Sequence, residues 1–138
     1  MWGKELRYGD AGHTRLLRLA KKDAGKWNGR VHELWKVIGK IGQLRNPLHH
    51  YPHQTIKAFL QKINSYTTLR AEELYKAERK TNILFIVVYP LGKFLADFFL
   101  KRGFLDGIPG LIHGILMSFH SFLVRGKLWS LCENKKNV

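Results

Sequence analysis

Ile83-Leu84-Phe85-Ile86-Val87-Val88-Tyr89-Pro90-Leu91-Gly92 runs directly into Lys93-Phe94-Leu95-Ala96-Asp97-Phe98-Phe99-Leu100-Lys101. The uncharged part, residues 81–92, falls short of the about 20 apolar residues a helix needs to cross a bilayer. Beyond it Lys93, Asp97 and Lys101 stand four apart. On a helix they form one polar stripe and leave a broad surface of Phe and Leu. The pattern predicts a helix lying in a membrane interface, with Phe94, Phe98 and Phe99 on its apolar side and Lys101 and Arg102 at its end. A buried soluble helix is the competing reading, and the charge of the chain weighs against it. With 24 Lys and Arg against 10 Asp and Glu, the formal net charge is +14, which favours an anionic membrane surface or another polyanion as partner.

Outward from this stretch, Gly103 is placed to stop the helix, and Asp106-Gly107 makes a turn before Ile108-Pro109. A second amphipathic stretch covers residues 111–131. Ile112, Ile115, Leu116, Phe119, Phe122, Leu123 and Trp129 form its apolar side, and His113, His120, Arg125 and Lys127 its polar side. Trp129 beside Arg125 and Lys127 is the aromatic and basic pairing typical of a membrane surface. Upstream, Ile56, Phe59, Leu60, Ile63, Tyr66 and Leu69 recur three and four apart, with Lys57, Gln61, Lys62, Ser65 and Arg70 opposite. This predicts an amphipathic helix from about Thr55 to Arg79.

The region before Thr55 reads as strand. Arg15-Leu16-Leu17-Arg18-Leu19 is a short candidate. Leu34-Trp35-Lys36-Val37-Ile38 and Ile41-Gly42-Gln43-Leu44, separated by Gly39-Lys40, read as a β-hairpin. That hairpin would return His49 and His50 toward Val31-His32-Glu33, so that Trp27 to Tyr51 makes one concave patch. A carboxylate beside an imidazole suits a general base at a hydroxyl. His32, Glu33, His49 and His50 also match a metal site in residue type, but no spacing among them is diagnostic for zinc. The expected class is α+β: a short strand and hairpin segment followed by amphipathic, membrane-surface helices. The divisions expected are 1–54, 55–80, 81–132 and a polar tail at 133–138. The single cysteine, Cys132, excludes an intrachain disulfide and fits a reducing compartment. Residues 1–10 contain no apolar run, which predicts no signal peptide.

The ordered series Arg15-Leu16, Trp27, Val31-His32-Glu33, Gly39-Lys40-Ile41-Gly42, Leu48 through Tyr51, Lys62-x-Asn64-x-Tyr66, Ala71, Pro90, Phe94, Lys101-x-Gly103-Phe104-Leu105-Asp106-Gly107, Gly110 and Lys127-Leu128-Trp129 resembles the C-terminal part of bacterial family 2 glycosyltransferases of the lipopolysaccharide core type. The resemblance covers nearly the whole chain after Arg15. It implies transfer of a sugar from a nucleotide donor to a glycolipid or cell-surface glycan acceptor at the cytoplasmic face of the inner membrane, by a peripheral enzyme. By the same resemblance Glu33 deprotonates the acceptor hydroxyl and His32 orients it. His50 lies near the donor diphosphate and a divalent metal, Mg or Mn. Trp27, Arg30, Tyr51 and Lys62 fall to substrate binding.

The chain departs from that family in one respect. Its only aspartates are Asp10, Asp23, Asp97 and Asp106, so there is no Asp-x-Asp to bridge a donor diphosphate through a metal. The expectation is therefore the C-terminal portion of a transferase whose donor-binding domain or subunit lies elsewhere, or a degenerate relative. Two other classes account for the charge. A nucleic-acid module would do so, although the aromatics fall in apolar stripes and no recognition motif is present. A non-catalytic basic membrane-binding protein explains both the charge and the helices.

Overall fold

The computed structural model describes residues 4–13, 17, 19–28, 34–44 and 55–134. A short helix α1 (Gly9–His13) precedes two strands, β1 (Gly25–Asn28) and β2 (Leu34–Val37), which pair antiparallel. Three long helices follow: α2 (Ile56–Lys76), α3 (Ile83–Leu95) and α4 (Ile108–Asn134). The class is α+β, with the strand pair ahead of the three long helices.

The strand pairing differs from the expected hairpin. β2 pairs with the upstream β1, in the register Gly25 with Val37, Trp27 with Trp35 and Asn28 with Leu34. Residues 41–44, expected as its partner, form no strand, and neither do Leu17 and Leu19. Gly25 explains part of the choice: a Cβ there would lie 2.0 Å from the carbonyl oxygen of Lys36, so the two backbones approach as only glycine permits. The His32-Glu33 stretch and residues 45–54, including His49, His50 and Tyr51, lie outside the described residues.

α2 begins where Thr55 caps it. The Ala58 backbone N–H donates to Thr55 Oγ1 at 3.1 Å, satisfying one of the otherwise unpaired first-turn donors. It ends at Lys76, three residues earlier than its periodicity suggested, with Glu78 in the left-handed conformation at φ 55°. Phe59, Ile63, Thr67 and Ala71 form its buried face. α4 packs on α2 and buries Val124 and Leu128 of its own. α3 also packs on α4.

Asn82 caps α3 through its side-chain oxygen, 3.0 Å from the Phe85 backbone nitrogen. α3 continues without a break into a π-helical turn (Ala96–Leu100), so that Ile83 to Leu100 makes one 18-residue rod. At 1.5 Å per residue it is about 27 Å long. Its length exceeds that of the uncharged run 81–92 from which the interfacial placement was expected. Both Ile83–Leu100 and Ile108–Asn134 are long and apolar enough to cross a membrane by length and composition.

The return between α3 and α4 is a 3-10 turn (Gly103–Asp106). Two glycines make it possible. Gly107 has φ 67° and ψ −141°, a region open essentially to glycine alone. A Cβ on Gly110 would lie 2.1 Å from the carbonyl oxygen of Gly103, so the first turn of α4 can sit directly on the 3-10 turn.

Candidate functional site

The surface of α3 is the first notable feature. It buries none of its residues. Ile83, Leu84, Val87, Val88, Leu91 and Leu95 are all exposed, and Phe99 and Leu100 continue the surface through the π-turn. From α4, Ile108, Leu111, Ile115, Phe119, Phe122 and Trp129 add to it. A continuous apolar surface of this extent is unusual on a monomeric soluble domain and marks an interaction site.

The polar stripe that would have faced solvent is instead held by the protein. Asp97 is buried at 2% exposure, accepts the backbone N–H of Asp10 on Oδ1 and has Oδ2 3.4 Å from His113 Nδ1. Lys93 and Lys101 both donate to the carboxylate of Asp10. His113, assigned by periodicity to a polar face, is buried and stacked with Phe59, ring centroids 6.2 Å apart. The π-turn places Asp97 and Lys101 on this joint, and turns of this kind recur at functional sites. Burial opposes ionisation of Asp10. The hydrogen bonds and charges of Lys101 and Lys93 outweigh it and hold the carboxyl below its ordinary range. The hydrogen bond to Asp10 raises Lys101, against the smaller opposing effect of burial.

The segment that supplies Asp10 is sewn onto the 3-10 turn (Gly103–Asp106) of the helical hairpin that α3 and α4 form. The single backbone N–H of Arg7 is shared between the Asp106 oxygens Oδ1 and Oδ2, at 3.1 and 3.2 Å, and that of Tyr8 donates to Oδ2 at 3.0 Å. The Gly9 N–H donates to the carbonyl of Lys101 at 3.0 Å. Arg7, Tyr8, Gly12, Leu100, Lys101 and Arg102 together line a cavity of about 260 Å³. Arg7 and Tyr8 carried no signal in the sequence, because their partners are about a hundred residues away.

At the opposite end of the hairpin, the Arg125 guanidinium lies 4.0 Å over the Tyr89 ring, and Ser118 Oγ donates to the Pro90 carbonyl at 2.8 Å. Lys127 turns to α2. Both cations expected to reach toward lipid are therefore committed within the protein, while Trp129 remains 47% exposed. Phe94 and Phe98 are half-buried and stacked at 5.3 Å. Of the sequence-derived membrane set, Phe99, Arg102 and Trp129 are the exposed members.

Of the proposed catalytic and substrate residues, Glu33, His32, Arg30, His50 and Tyr51 lie outside the described residues. Trp27 is placed in β1, opposite Trp35. Lys62 is exposed on α2, with its ammonium 5.5 Å over the Tyr66 ring. Among the described residues no three His, Cys, Asp or Glu side chains come together so as to hold a metal ion. Asp10, the carboxylate nearest in kind to a ligand, is occupied by two ammonium groups. The described residues therefore do not fit a divalent metal.

No family model matches the chain, and no solved structure matches it. Curated relatives from several Rickettsia species carry the name uncharacterized glycosyltransferase. That of Rickettsia typhi is 32% identical over 101 residues, 73% of this chain and 35% of the relative. That of Rickettsia prowazekii is 31% identical over 100 residues, 72% of this chain and 34% of the relative. For the Rickettsia conorii protein the identity is 30% over 100 residues, 72% and 36%. The chain spans about a third of the length of the curated relatives it matches. Most of this chain is thus similar to one portion of proteins named as glycosyltransferases.

Proposed function

We propose that this chain is the acceptor-side, membrane-docked portion of a family 2 glycosyltransferase of the lipopolysaccharide core type. The complete protein transfers a sugar from a nucleotide donor to a glycolipid or cell-surface glycan at the cytoplasmic face of the inner membrane. The similarity of nearly three quarters of the chain to proteins named glycosyltransferases carries this reading. The uncovered apolar surface of α3 and α4 supports the membrane part of it, and the excess of basic residues adds attraction to anionic lipid.

In the proposed chemistry Glu33 accepts the proton of the acceptor hydroxyl as that oxygen attacks the anomeric carbon, with inversion. His32 orients the carboxylate. Trp27, Arg30, His50, Tyr51 and Lys62 hold substrate. The donor and its divalent metal, Mg or Mn, are assigned to a donor-binding domain or subunit, in keeping with the lack of Asp-x-Asp here.

The intact mass of the endogenous protein, isolated from the membrane fraction, tests the assignment. A mass well above 16.1 kDa that includes a nucleotide-sugar-binding domain is expected. A mass equal to this chain, with no co-purifying donor-binding subunit, would leave the non-catalytic membrane-binding reading in its place.

A further inference from the structure

The cavity at the hairpin turn lies between two different surfaces. On one side Leu100, 82% exposed, and Phe99, 54% exposed, continue the apolar surface of α3. On the other, the basic residues Arg7, Lys101 and Arg102 are among those lining a cavity of about 260 Å³ whose lining includes no acidic residue. Glu5 pairs with Arg7 at 3.0 Å and Asp10 is shared by Lys101 and Lys93. Among the described residues the Arg102 guanidinium has no anionic partner. Arg102 also holds the left-handed conformation, φ 57° and ψ 29°, where a Cβ is disfavoured and glycine is the usual occupant. The turn could be made more easily by glycine, yet an arginine stands there and lines the cavity.

We propose that this cavity holds the phosphate monoester headgroup of a membrane lipid, with Arg102, Lys101 and Arg7 on the phosphate and Leu100 and Phe99 among the acyl chains. Planar guanidinium groups suit phosphate oxygens, which they can bind bidentately. A monoester, which carries up to two negative charges, gains more than a diester does from Arg102, unpaired among the described residues, and from Arg7 and Lys101, each already shared with one carboxylate. The inference rests on the membrane part of the proposed function and adds a specific lipid chemistry to it.

Flotation of the 138-residue chain with vesicles tests the proposal. Phosphatidylcholine vesicles carrying phosphatidic acid, a monoester, are compared with others carrying phosphatidylglycerol, a diester, at matched surface charge. The unaltered chain is expected to bind the monoester vesicles about tenfold more tightly, the scale of one charge-assisted contact. Arg102→Gly suits the left-handed backbone, so the fold is retained; it is expected to abolish that preference while keeping binding to the diester vesicles. Lys57→Gln, on the exposed side of α2, is the charge control and should weaken both equally.

Equal binding of the unaltered chain to the two anionic vesicles would overturn the headgroup site alone. A preference that survives Arg102→Gly would overturn it as well. Binding to no vesicle at all would overturn the membrane reading beneath it. Glycerol phosphate in solution is the last arm. If it displaces the chain from the monoester vesicles at concentrations equal to those of the lipid, the site takes free phosphates and the lipid assignment falls.

Discussion

Lys127 Nζ on α4 donates to the side-chain oxygen of Asn64 on α2 at 2.7 Å, across 63 residues of chain. The same ammonium lies 2.7 Å from the Asn64 carbonyl oxygen, 2.9 Å from Thr67 Oγ1 and 2.7 Å from Thr68 Oγ1. Four oxygens therefore share three N–H donors. Replacing Lys127 by Met keeps the aliphatic stem and leaves these acceptors without their cation. The expected loss is about 1–3 kcal/mol, the range for hydrogen bonds to charged groups, with the lower end favoured because part of the clasp is open to solvent. Thermal unfolding measures it. A double cycle with Asn64→Ala should be non-additive by about 0.5 kcal/mol or more; additivity would mean the two residues act separately.

Asp10 predicts a pH dependence with a defined sign. Its carboxyl is held below the ordinary value in the folded chain. The ionised form thus contributes stability above the unfolded pKa of about 4, and that contribution disappears as pH falls through the depressed folded value. Attachment of residues 7–13 to the hairpin turn should hold at pH 5 and weaken in stronger acid. Limited proteolysis near α1 across that range reads it out. Asp10→Asn should show the weakened state already at neutral pH, with little further change on acidification.

Gly110→Ala is expected to destabilise the chain. The added Cβ would lie 2.1 Å from the Gly103 carbonyl oxygen and 2.9 Å from Asp106 Cβ. The backbone must move to admit it, which costs about 1–3 kcal/mol by comparison with overpacked cores. Gly126→Ala, where a Cβ meets nothing within 4 Å, is the matched control and should be neutral or mildly stabilising, since alanine is the better helix former. Comparable Tm losses at both positions would contradict the tight turn.

Membrane binding should have two components with different salt responses. The basic excess is screened within about 10 Å at 0.1 M salt, whereas burial of Phe99, Leu91, Ile83 and their neighbours is not screened. Binding to anionic vesicles should therefore fall with added salt to a plateau. Binding that vanishes at high salt would point to a purely electrostatic association and remove the apolar surface from the role.

On the proposed function, Glu33→Gln in the full-length protein should lower turnover by about 10²–10⁴-fold, the usual contribution of a positioned general base. Membrane association should not change. Activity kept at the original level would take Glu33 out of the role proposed for it.

Local periodicity determined the α+β class, the three long helices and their order, because the spacing of apolar residues along a helix is written within a few turns of chain. Composition alone determined the basic excess and the lack of an Asp-x-Asp motif. Other features needed the tertiary structure. β2 could have paired upstream or downstream, and the close backbone approach at Gly25 belongs to the upstream pairing. Lys93, Asp97 and Lys101 have the spacing of a solvent-facing stripe, yet Asp10 and His113 engage them. Asn64 and Lys127, quoted from separate motifs, meet on facing helices, and Arg7, its backbone held by Asp106, lines one cavity with Lys101 and Arg102. Each of these contacts depends on how one element is rotated and placed against another. That geometry arises from packing between distant segments, and no short stretch of sequence contains it.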